Sequence, residues 1–437
     1  MTRAKRRIGV LSTIAVLSTV LAVSSVGVWA SGAMATDTVS GASMSRPAAL
    51  APLTVRSLTG DSAGSTRALR VRKNVKNLTP QERSDYVNAI LKLKSVPSPY
   101  DPSLSYYDQF VAWHVSLYYC DQLDPLLQTI MRAHGGPMFG PWHRLYLVLF
   151  EAALQEVSGK QITVPYWDWT DPQSTRAVFR EGFMGGDGDP ADDFAVKSGP
   201  FRKDQWKLVV NPPGILASPS ATTYLTRHFG SFLPSLPTSA ELEAALVGPQ
   251  YDTAPYDSTS DSSLSFRNNW EGFRSPGGTG PAGYFCGPDG VVTPNLNADG
   301  VHNHNAAHAW VGGIRGLTPE GIPLFGTMVL PSSPNDPTFF LLHSNIDRIW
   351  ARWQGIHGID TYQPTADSSG NNVDDVMHPF VDIGITATPE TLADIRQLGY
   401  RYSDTDTSAT LDAALLAADQ RSLTATIRLA CHLPGRG

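Results

Sequence analysis

The sequence predicts a mainly helical protein with long loops and few short strands. Apolar residues recur with helical spacing in several runs, while the stretches between them are dense in Pro, Gly, Ser and Asp. Strand signals are short and sparse, as in Ile162-Thr163-Val164. We find no internal repeat. The helical runs cover residues 105–119, 122–133, 142–157, 303–311 and 338–354.

The composition and net charge of the chain disfavour one class of function and are compatible with a large globular core. The chain has 437 residues, of which 41% are hydrophobic and 17% are charged, and its 10 Trp, 15 Tyr and 16 Phe suffice for a large core. Its 34 Lys and Arg against 40 Asp and Glu give a net charge of −6. A nucleic-acid-binding protein usually carries an excess of basic residues, so this class is disfavoured.

The N-terminus resembles an export signal. Lys5, Arg6 and Arg7 precede an uncharged stretch over residues 8–34, and Ala33-Met34-Ala35 offers a cleavage site of small residues. Residues 1–35 are therefore predicted to be a signal peptide, which makes the mature protein secreted and free of the membrane. An uncleaved anchor is the alternative, and the export route, Sec or Tat, stays open.

The rest of the chain divides into three parts. Residues 36–70 are rich in Ser, Thr, Ala and Gly and are predicted to form a linker or propeptide. The main domain covers 71–402, and 403–437 form a C-terminal tail. In the main domain, Thr79, Pro80 and Glu82 predict the first turn of a helix. The Gly- and Pro-rich stretch 274–300 is predicted to lack regular structure.

Three cysteines, Cys120, Cys286 and Cys431, exclude a disulfide scaffold. In an oxidising compartment they allow at most one internal disulfide, whose pairing the sequence leaves open.

Six of the eleven histidines fall into two groups of three. His304 and His308 are four residues apart, so on a helix both imidazoles lie on one face and can bind one ion. Neither group includes a cysteine or carboxylate, and imidazole ligands suit Zn, Cu, Fe and Ni. Three ligands leave an open coordination position, as catalytic metals require. The groups are His114, His134 and His143, and His304, His308 and His343.

Several motifs occur in the order found in one known family. The chain resembles the tyrosinase / catechol oxidase family of type 3 copper proteins over roughly residues 72–402. The motifs are His134-x8-His143-Arg-x-Tyr, Pro165-Tyr-Trp-Asp-Trp169, His304-Asn-x-x-His308-x-Trp-x-Gly-Gly313, Asp336-Pro-x-Phe339-x-x-His343-x-x-x-Asp347-Arg-x-Trp350 and Tyr400-Arg-Tyr402.

The resemblance implies two copper ions inside a four-helix bundle. The first (CuA) would be bound by the group from His114 to His143, and the second (CuB) by the group from His304 to His343. His302 is a rival ligand for CuB, but His304 has the partner four residues on. The other histidines, His228, His357, His378 and His432, stand in loop or tail contexts and are predicted to be structural or surface residues. The resemblance also implies that Phe339 packs on His343, and that Asp347 pairs with Arg144, which follows a copper ligand.

The implied activity is oxidation of o-diphenols to o-quinones by O2, with possible hydroxylation of monophenols. In family members that hydroxylate monophenols, a glutamate and an asparagine hold a water that accepts the proton. Asn305 and Glu271 match these positions. The long 274–300 loop separates Glu271 from His304, so a surface carboxylate is an equal alternative for Glu271.

The substrate is left open by the motifs. The 328–335 loop carries only small or aliphatic residues where plant relatives have a blocking Phe, which predicts an open site. A thioether to Cys120 is not expected from its spacing to His134. Copper loading by a metallochaperone is one expectation. The alternatives are an o-aminophenol or specialised-metabolite oxidase, a haemocyanin-like oxygen carrier and, remotely, a dinuclear zinc hydrolase, disfavoured because no carboxylates accompany the histidines.

Overall fold

The computed structural model describes residues 68–118, 133–211, 219–272 and 303–404, with the backbone of 283–286 and 292–295. All of them belong to one compact unit. Several predicted features lie outside the described residues. These are the signal peptide, residues 36–67 of the linker, the tail after residue 404, and Cys120, Cys431, His302 and His432.

Eight α-helices lie in the described part of the chain, and four of them confirm predicted runs. Helices α2, α3, α7 and α8 match the runs at 105–119, 142–157, 303–311 and 338–354, whereas 122–132 lie outside the description. The helices are α1 (Pro80–Ser95), α2 (Tyr106–Ser116), α3 (Phe139–Ser158), α4 (Pro172–Val178), α5 (Ser239–Leu246), α6 (Phe266–Glu271), α7 (Asn303–Gly312) and α8 (Thr338–His357).

Helix α1 begins as the sequence predicts. The main-chain N–H of Glu82 donates to the Thr79 hydroxyl over 3.2 Å, and the Glu82 carboxylate accepts from the Thr79 N–H over 2.8 Å. This capping box satisfies two N–H groups that would otherwise lack a partner at the helix start. The buried face of α1, with Ile90 and Leu93, packs against α3.

In the described part of the chain the strands are short and form four two-stranded sheets. One sheet is parallel and joins the start of the domain to its end, because Arg70 pairs with Tyr400 and Arg72 with Tyr402. The other three are antiparallel. The strands are β1 (Arg70–Arg72), β2 (Gly188–Asp189), β3 (Ala195–Val196), β4 (Gly283–Cys286), β5 (Val292–Asn295), β6 (Ile314–Leu317), β7 (Pro323–Phe325) and β8 (Tyr400–Tyr402).

The predicted strand at Ile162–Val164 is wrong. Side chains, not a partner strand, satisfy this backbone: the Val164 N–H donates to Glu151 over 2.9 Å, and the Val164 carbonyl accepts from Ser344 over 3.1 Å. The β-branched composition reflects burial against the core, since Val164 is fully buried.

The prediction that 274–300 lacks regular structure is also wrong in part. Strands β4 and β5 form an antiparallel pair in which Gly283 lies opposite Asn295 and Cys286 opposite Val292. The sequence between them, Gly287-Pro288-Asp289-Gly290, is of the type that favours a hairpin turn. Gly and Pro residues in this stretch therefore do not exclude strands.

The core is built around α3 and α8. Phe150 of α3 and Phe340 of α8 stack with ring centroids 3.5 Å apart and planes 4° from parallel. Phe110 of α2 packs edge-on against Phe150 at 5.2 Å. Five of the six clustered histidines lie on α2, α3, α7 and α8. No helix in the described part of the chain is both long and apolar enough to cross a membrane.

Candidate metal centre

The first histidine triad joins two helices and a loop. His114 lies in the last turn of α2, His134 in the loop before α3, and His143 in the first turns of α3. All three are buried, and they offer ligand nitrogens within 4.8 Å of one another. The nine-residue spacing of His134 and His143 works because the loop turns at Gly135, whose φ is +69°, before α3 begins.

The second triad joins α7 to α8. His304 and His308 lie one turn apart on α7, with ring centroids 4.5 Å apart. The Nε2 atom of His343 on α8 is 3.3 Å from Nε2 of His304 and 3.1 Å from Nε2 of His308. Ligands about 2.0–2.1 Å from one ion lie about 3.3 Å from each other in a tetrahedral arrangement, so this spacing suits a metal.

The two triads face each other across a narrow gap. The rings of His143 and His343 are stacked with centroids 4.3 Å apart and planes 20° from parallel. On the other side of the gap, the rings of His134 and His304 are 6.3 Å apart. Two ions held by these rings would therefore be close enough to share one small ligand.

Main-chain carbonyls orient three of the rings. Nδ1 of His114 donates to Pro331 O over 2.6 Å, Nδ1 of His143 to Phe139 O over 2.8 Å, and Nδ1 of His308 to Met328 O over 2.7 Å. A proton on Nδ1 leaves the Nε2 lone pair free to bind a metal. Among the described residues, no hydrogen-bond partner reaches Nε2 of His114 or of His143, although both are buried.

Burial keeps the imidazoles neutral. It lowers the pKa of His114 to about 3 and that of His308 to about 4, against the hydrogen bonds to Pro331 and Met328. Burial and the neighbouring imidazoles place the pKa of the other four rings well below the usual value. Metal ions bind neutral imidazole, so the site is prepared for a metal and not for protons.

Comparisons with known proteins identify the family. The model of the common central domain of tyrosinase matches residues 104–356. Grixazone synthase of Streptomyces griseus is 36% identical over 342 residues, which cover 75% of this chain and 97% of that protein. A tyrosinase of Streptomyces lincolnensis is 34% identical over 342 residues, which cover 77% of this chain and 100% of its own. The chain belongs to the tyrosinase family.

The fold agrees with this assignment. A polyphenol oxidase of Thermothelomyces thermophila superposes with a TM-score of 0.50 at 21% identity, over 76% of this chain and 88% of the other. Proteins of the tyrosinase family are copper-dependent polyphenol oxidases with two copper ions, and the two buried triads of this member fit such a pair. It is therefore a copper oxidoreductase.

Phe339 fixes a ring at the centre of the tyrosinase-family site, as predicted. Its ring stacks on His343 with centroids 3.9 Å apart and planes 24° from parallel. It also meets His114 edge-on at 5.0 Å and His308 at 5.7 Å. Phe339 thus contacts both triads, which the one-turn spacing to His343 did not reveal.

The predicted contact between Asp347 and Arg144 is confirmed and is fully buried. Nε of Arg144 donates to Oδ1 of Asp347 over 2.5 Å. The other oxygen, Oδ2, accepts from Arg72 over 3.1 Å and from the Tyr400 and Tyr402 hydroxyls over 2.6 Å each. Burial raises the pKa of Asp347, but the two guanidiniums outweigh it and hold the pKa below its usual value. The carboxylate therefore stays charged.

Sequence reasoning missed Arg72 in this network. It lies 275 residues from Asp347 in the chain and pairs with Glu151 as well, over 2.9 Å. The one available signal was the Tyr400-Arg-Tyr402 motif, because the Arg72 guanidinium stacks 3.7 Å from the Tyr400 ring centroid.

Glu271 and Asn305 both lie beside the second triad. Nδ1 of His304 donates to Oδ1 of Asn305 over 2.9 Å, and the Glu271 main chain lies beside the His304 ring. Glu271 is completely buried at the end of α6, so the alternative of a surface carboxylate is wrong. The long 274–300 loop therefore does not separate it from His304 in space.

The remaining described histidines lie outside the triads. Nδ1 of His228 contacts Ile314 O over 2.8 Å, and Nε2 of His357 contacts Leu246 O over 3.0 Å. His378 pairs with Asp382 over 2.9 Å. These contacts agree with the prediction that these three residues have structural or surface roles.

Proposed function

We propose that this protein is an exported binuclear copper oxidase that uses O2 to convert o-diphenols to o-quinones and that also hydroxylates monophenols. His114, His134 and His143 hold the first ion, and His304, His308 and His343 hold the second. The observation that carries the proposal is the facing pair of buried triads, with rings of His143 and His343 only 4.3 Å apart.

The copper ions supply the redox chemistry with O2 when they are bound. The protein positions the ligand rings and keeps water away from the ions. Carbonyl contacts such as His114 to Pro331 fix which nitrogen faces the ion. Phe339 and Phe139 pack against the ligand rings, the latter 4.8 Å from His304, and exclude water from the region where reactive oxygen is handled.

Glu271 and Asn305 are proposed to receive the proton of the incoming phenol through a water. Burial raises the pKa of Glu271 to about 7, although Arg267 and the Gly135 N–H oppose the rise. A group with a pKa near the working pH is suited to accept and return a proton. Asn305 supports the arrangement by fixing the His304 ring beside it.

Copper analysis combined with a catechol assay tests the proposal. We expect two copper ions per chain and quinone formation in the native protein, and loss of both the second copper and the activity in His304→Ala. His357→Ala, which removes a histidine outside the triads, is the matched control and should keep both. A His304→Ala protein with two coppers and full catechol oxidation would contradict the proposal. Reversible O2 binding without quinone would favour an oxygen carrier instead.

A second candidate is an o-aminophenol or specialised-metabolite oxidase with little action on tyrosine. The similarity to grixazone synthase, a protein named for one product, favours it. Tyrosine, tyramine, catechol and 2-aminophenol offered side by side distinguish the two. In the first candidate, Glu271→Gln should lower tyramine hydroxylation roughly 100-fold while catechol oxidation falls less. Turnover of 2-aminophenol well above all three phenols would favour the second.

Export belongs to the same proposal. The basic residues before the uncharged 8–34 stretch and the small residues at 33–35 support cleavage after Ala35. N-terminal sequencing of the protein from the culture medium should begin at Thr36. A metallochaperone that loads the copper remains a further proposal, tested by copper content with and without co-expressed candidates.

A further inference from the structure

The loop that carries His134 is entropically costly to hold in one conformation. Gly135 and Gly136 follow the histidine directly, and Gly135 has a φ of +69°. Glycine loses more conformational freedom on folding than any other residue, so two in a row resist being fixed in one geometry. A ligand in such a loop needs an anchor close to it.

Glu271 provides that anchor. Its Oε1 accepts a hydrogen bond of 2.6 Å from the Gly135 N–H, one residue after His134, and both groups are buried. A hydrogen bond in a buried setting is electrostatically stronger than the same bond in water. The main chain of the same residue contacts the His304 ring. Glu271 thus touches both halves of the site without being a ligand.

The ion pair of Arg267 and Asp252 holds the other oxygen of the Glu271 carboxylate. Nη1 of Arg267, one helical turn earlier on α6, lies 3.3 Å from Oε2 of Glu271. Two other nitrogens of the Arg267 guanidinium donate to Asp252, Nε to Oδ2 over 2.8 Å and Nη2 to Oδ1 over 3.1 Å. Nη2 also donates to Asp257 O over 2.6 Å. Arg267 and Asp252 are both completely buried.

Asp252 is itself held in place. Its Oδ1 accepts from the Ser265 hydroxyl over 2.8 Å and from the Thr253 N–H over 2.8 Å. Ser265 caps the start of α6, and Glu271 is its last residue. Contacts through Asp252 and Arg267 therefore connect the two ends of this helix. A buried arginine fork with both faces engaged has little freedom to turn.

We propose that the Arg267–Asp252 pair positions His134 for copper, by holding Glu271 against the Gly135 N–H. Among the described residues, the hydrogen bonds and ion pairs of Arg267 and Asp252 reach no proposed ligand ring, so the two are positioning residues. The proposal rests on the proposed ligand set. It assigns these two residues a role that does not depend on whether Glu271 also handles a proton.

Release of copper to excess EDTA tests the proposal without any turnover. In the fully loaded native protein both ions should leave slowly. In Arg267→Gln and Asp252→Asn, one copper per chain should leave at least about tenfold faster, because contacts outside the ligand shell typically change metal affinity by 10- to 100-fold. The second copper should keep its native rate. In the double variant Arg267→Gln, His134→Ala only the slow phase should remain, which identifies the fast ion as the first one.

Leu93→Ala is the matched control for general destabilisation. It empties a buried position of α1 without touching the Arg267 contacts, so it should lower Tm while both coppers leave at native rates. If Arg267→Gln does not fold, the rate of copper release from Asp252→Asn tests the proposal. The proposal is overturned if the charge variants release both ions at native rates, or if Leu93→Ala releases one ion equally fast. A native protein that takes up fewer than two coppers would instead overturn the proposed function.

Discussion

Asp347 shows how strongly one side chain can depend on its partners. It is buried one helical turn after His343 and accepts hydrogen bonds from two guanidiniums, those of Arg144 and Arg72, and from two tyrosine hydroxyls. Taking these charges out of water is costly, and each is tolerated because the others are present. Removing the carboxylate would leave two buried cations with reduced compensation, one of them directly beside the proposed ligand His143.

We therefore predict that Asp347→Asn lowers the free energy of unfolding by about 3–5 kcal/mol at neutral pH. Denaturant unfolding of the metal-free protein measures this. Because the pKa of Asp347 is lower in the folded than in the unfolded state, the deficit should shrink as the pH falls below about 4. Asp193→Asn, which removes a partly exposed partner of Arg315, should cost at most about 1 kcal/mol. Equal costs for both would contradict the prediction.

At this scale the sequence predicts the residues that carry chemistry better than those that support them. The six histidines and Phe339 stand in local patterns, such as the four-residue spacing of His304 and His308, so a short window reveals them. Arg72 and Asp252 stand in no such local pattern. Their roles come from contacts between segments distant in the chain, and an isolated arginine or aspartate has no local pattern that distinguishes a buried partner from a surface charge.

At the scale of elements, helix α7 determines the spacing of two histidines of the second triad. Its helical geometry places the rings of His304 and His308 4.5 Å apart, with His343 facing them from α8. Successive residues on a helix differ by about 100°, so the register of α7 determines whether both rings face the ion.

One extra alanine inserted after Ala306 should therefore rotate one histidine of α7 away from the other. We expect one copper per chain in place of two and loss of catechol oxidation, measured by metal analysis and quinone absorbance. An alanine inserted after Glu320, in the exposed turn between β6 and β7, is the control and should leave the copper content unchanged. Two coppers per chain in the α7 variant would show that the register is not decisive.

The helices were easier to predict than the strands. Runs of 10 to 20 residues, such as α7 and α8, repeat the helical period often enough to be distinct. The strands have two to four residues, too few to show an alternating pattern. Ile162–Val164 has strand-like residues because it is buried, while β4 and β5 lie in a stretch whose Gly and Pro residues pointed away from strands.

For the molecule as a whole, the six buried neutral histidines link stability to pH. Their pKa values are lowered in the folded protein, to about 3 for His114 and about 4 for His308, whereas unfolded histidine titrates near about 6.5. Below that pH the unfolded chain binds protons that the folded chain does not. The metal-free protein is thus most stable above about pH 7 and loses stability as the pH falls.

We predict that Tm of the metal-free protein falls steadily from pH 7 to pH 5, with up to about 1.4 kcal/mol of stability lost per pH unit for each buried histidine. Thermal unfolding followed by circular dichroism measures this. A double variant, His114→Asn and His308→Asn, has two fewer such groups and should show a shallower slope. A Tm that does not change over this range would contradict the assignment of six neutral rings.

The parallel pairing of β1 with β8 also determines how the protein responds to a pulling force. Arg70 lies beside Tyr400 and Arg72 beside Tyr402, so the chain enters this sheet at one end and leaves it at the other. Tension applied to the two termini would slide the strands past each other and load their hydrogen bonds, together with the Arg72 ion pairs, all at once. Such a shear geometry resists force far better than one in which bonds open singly, and it protects the copper-binding core from being unravelled from its ends.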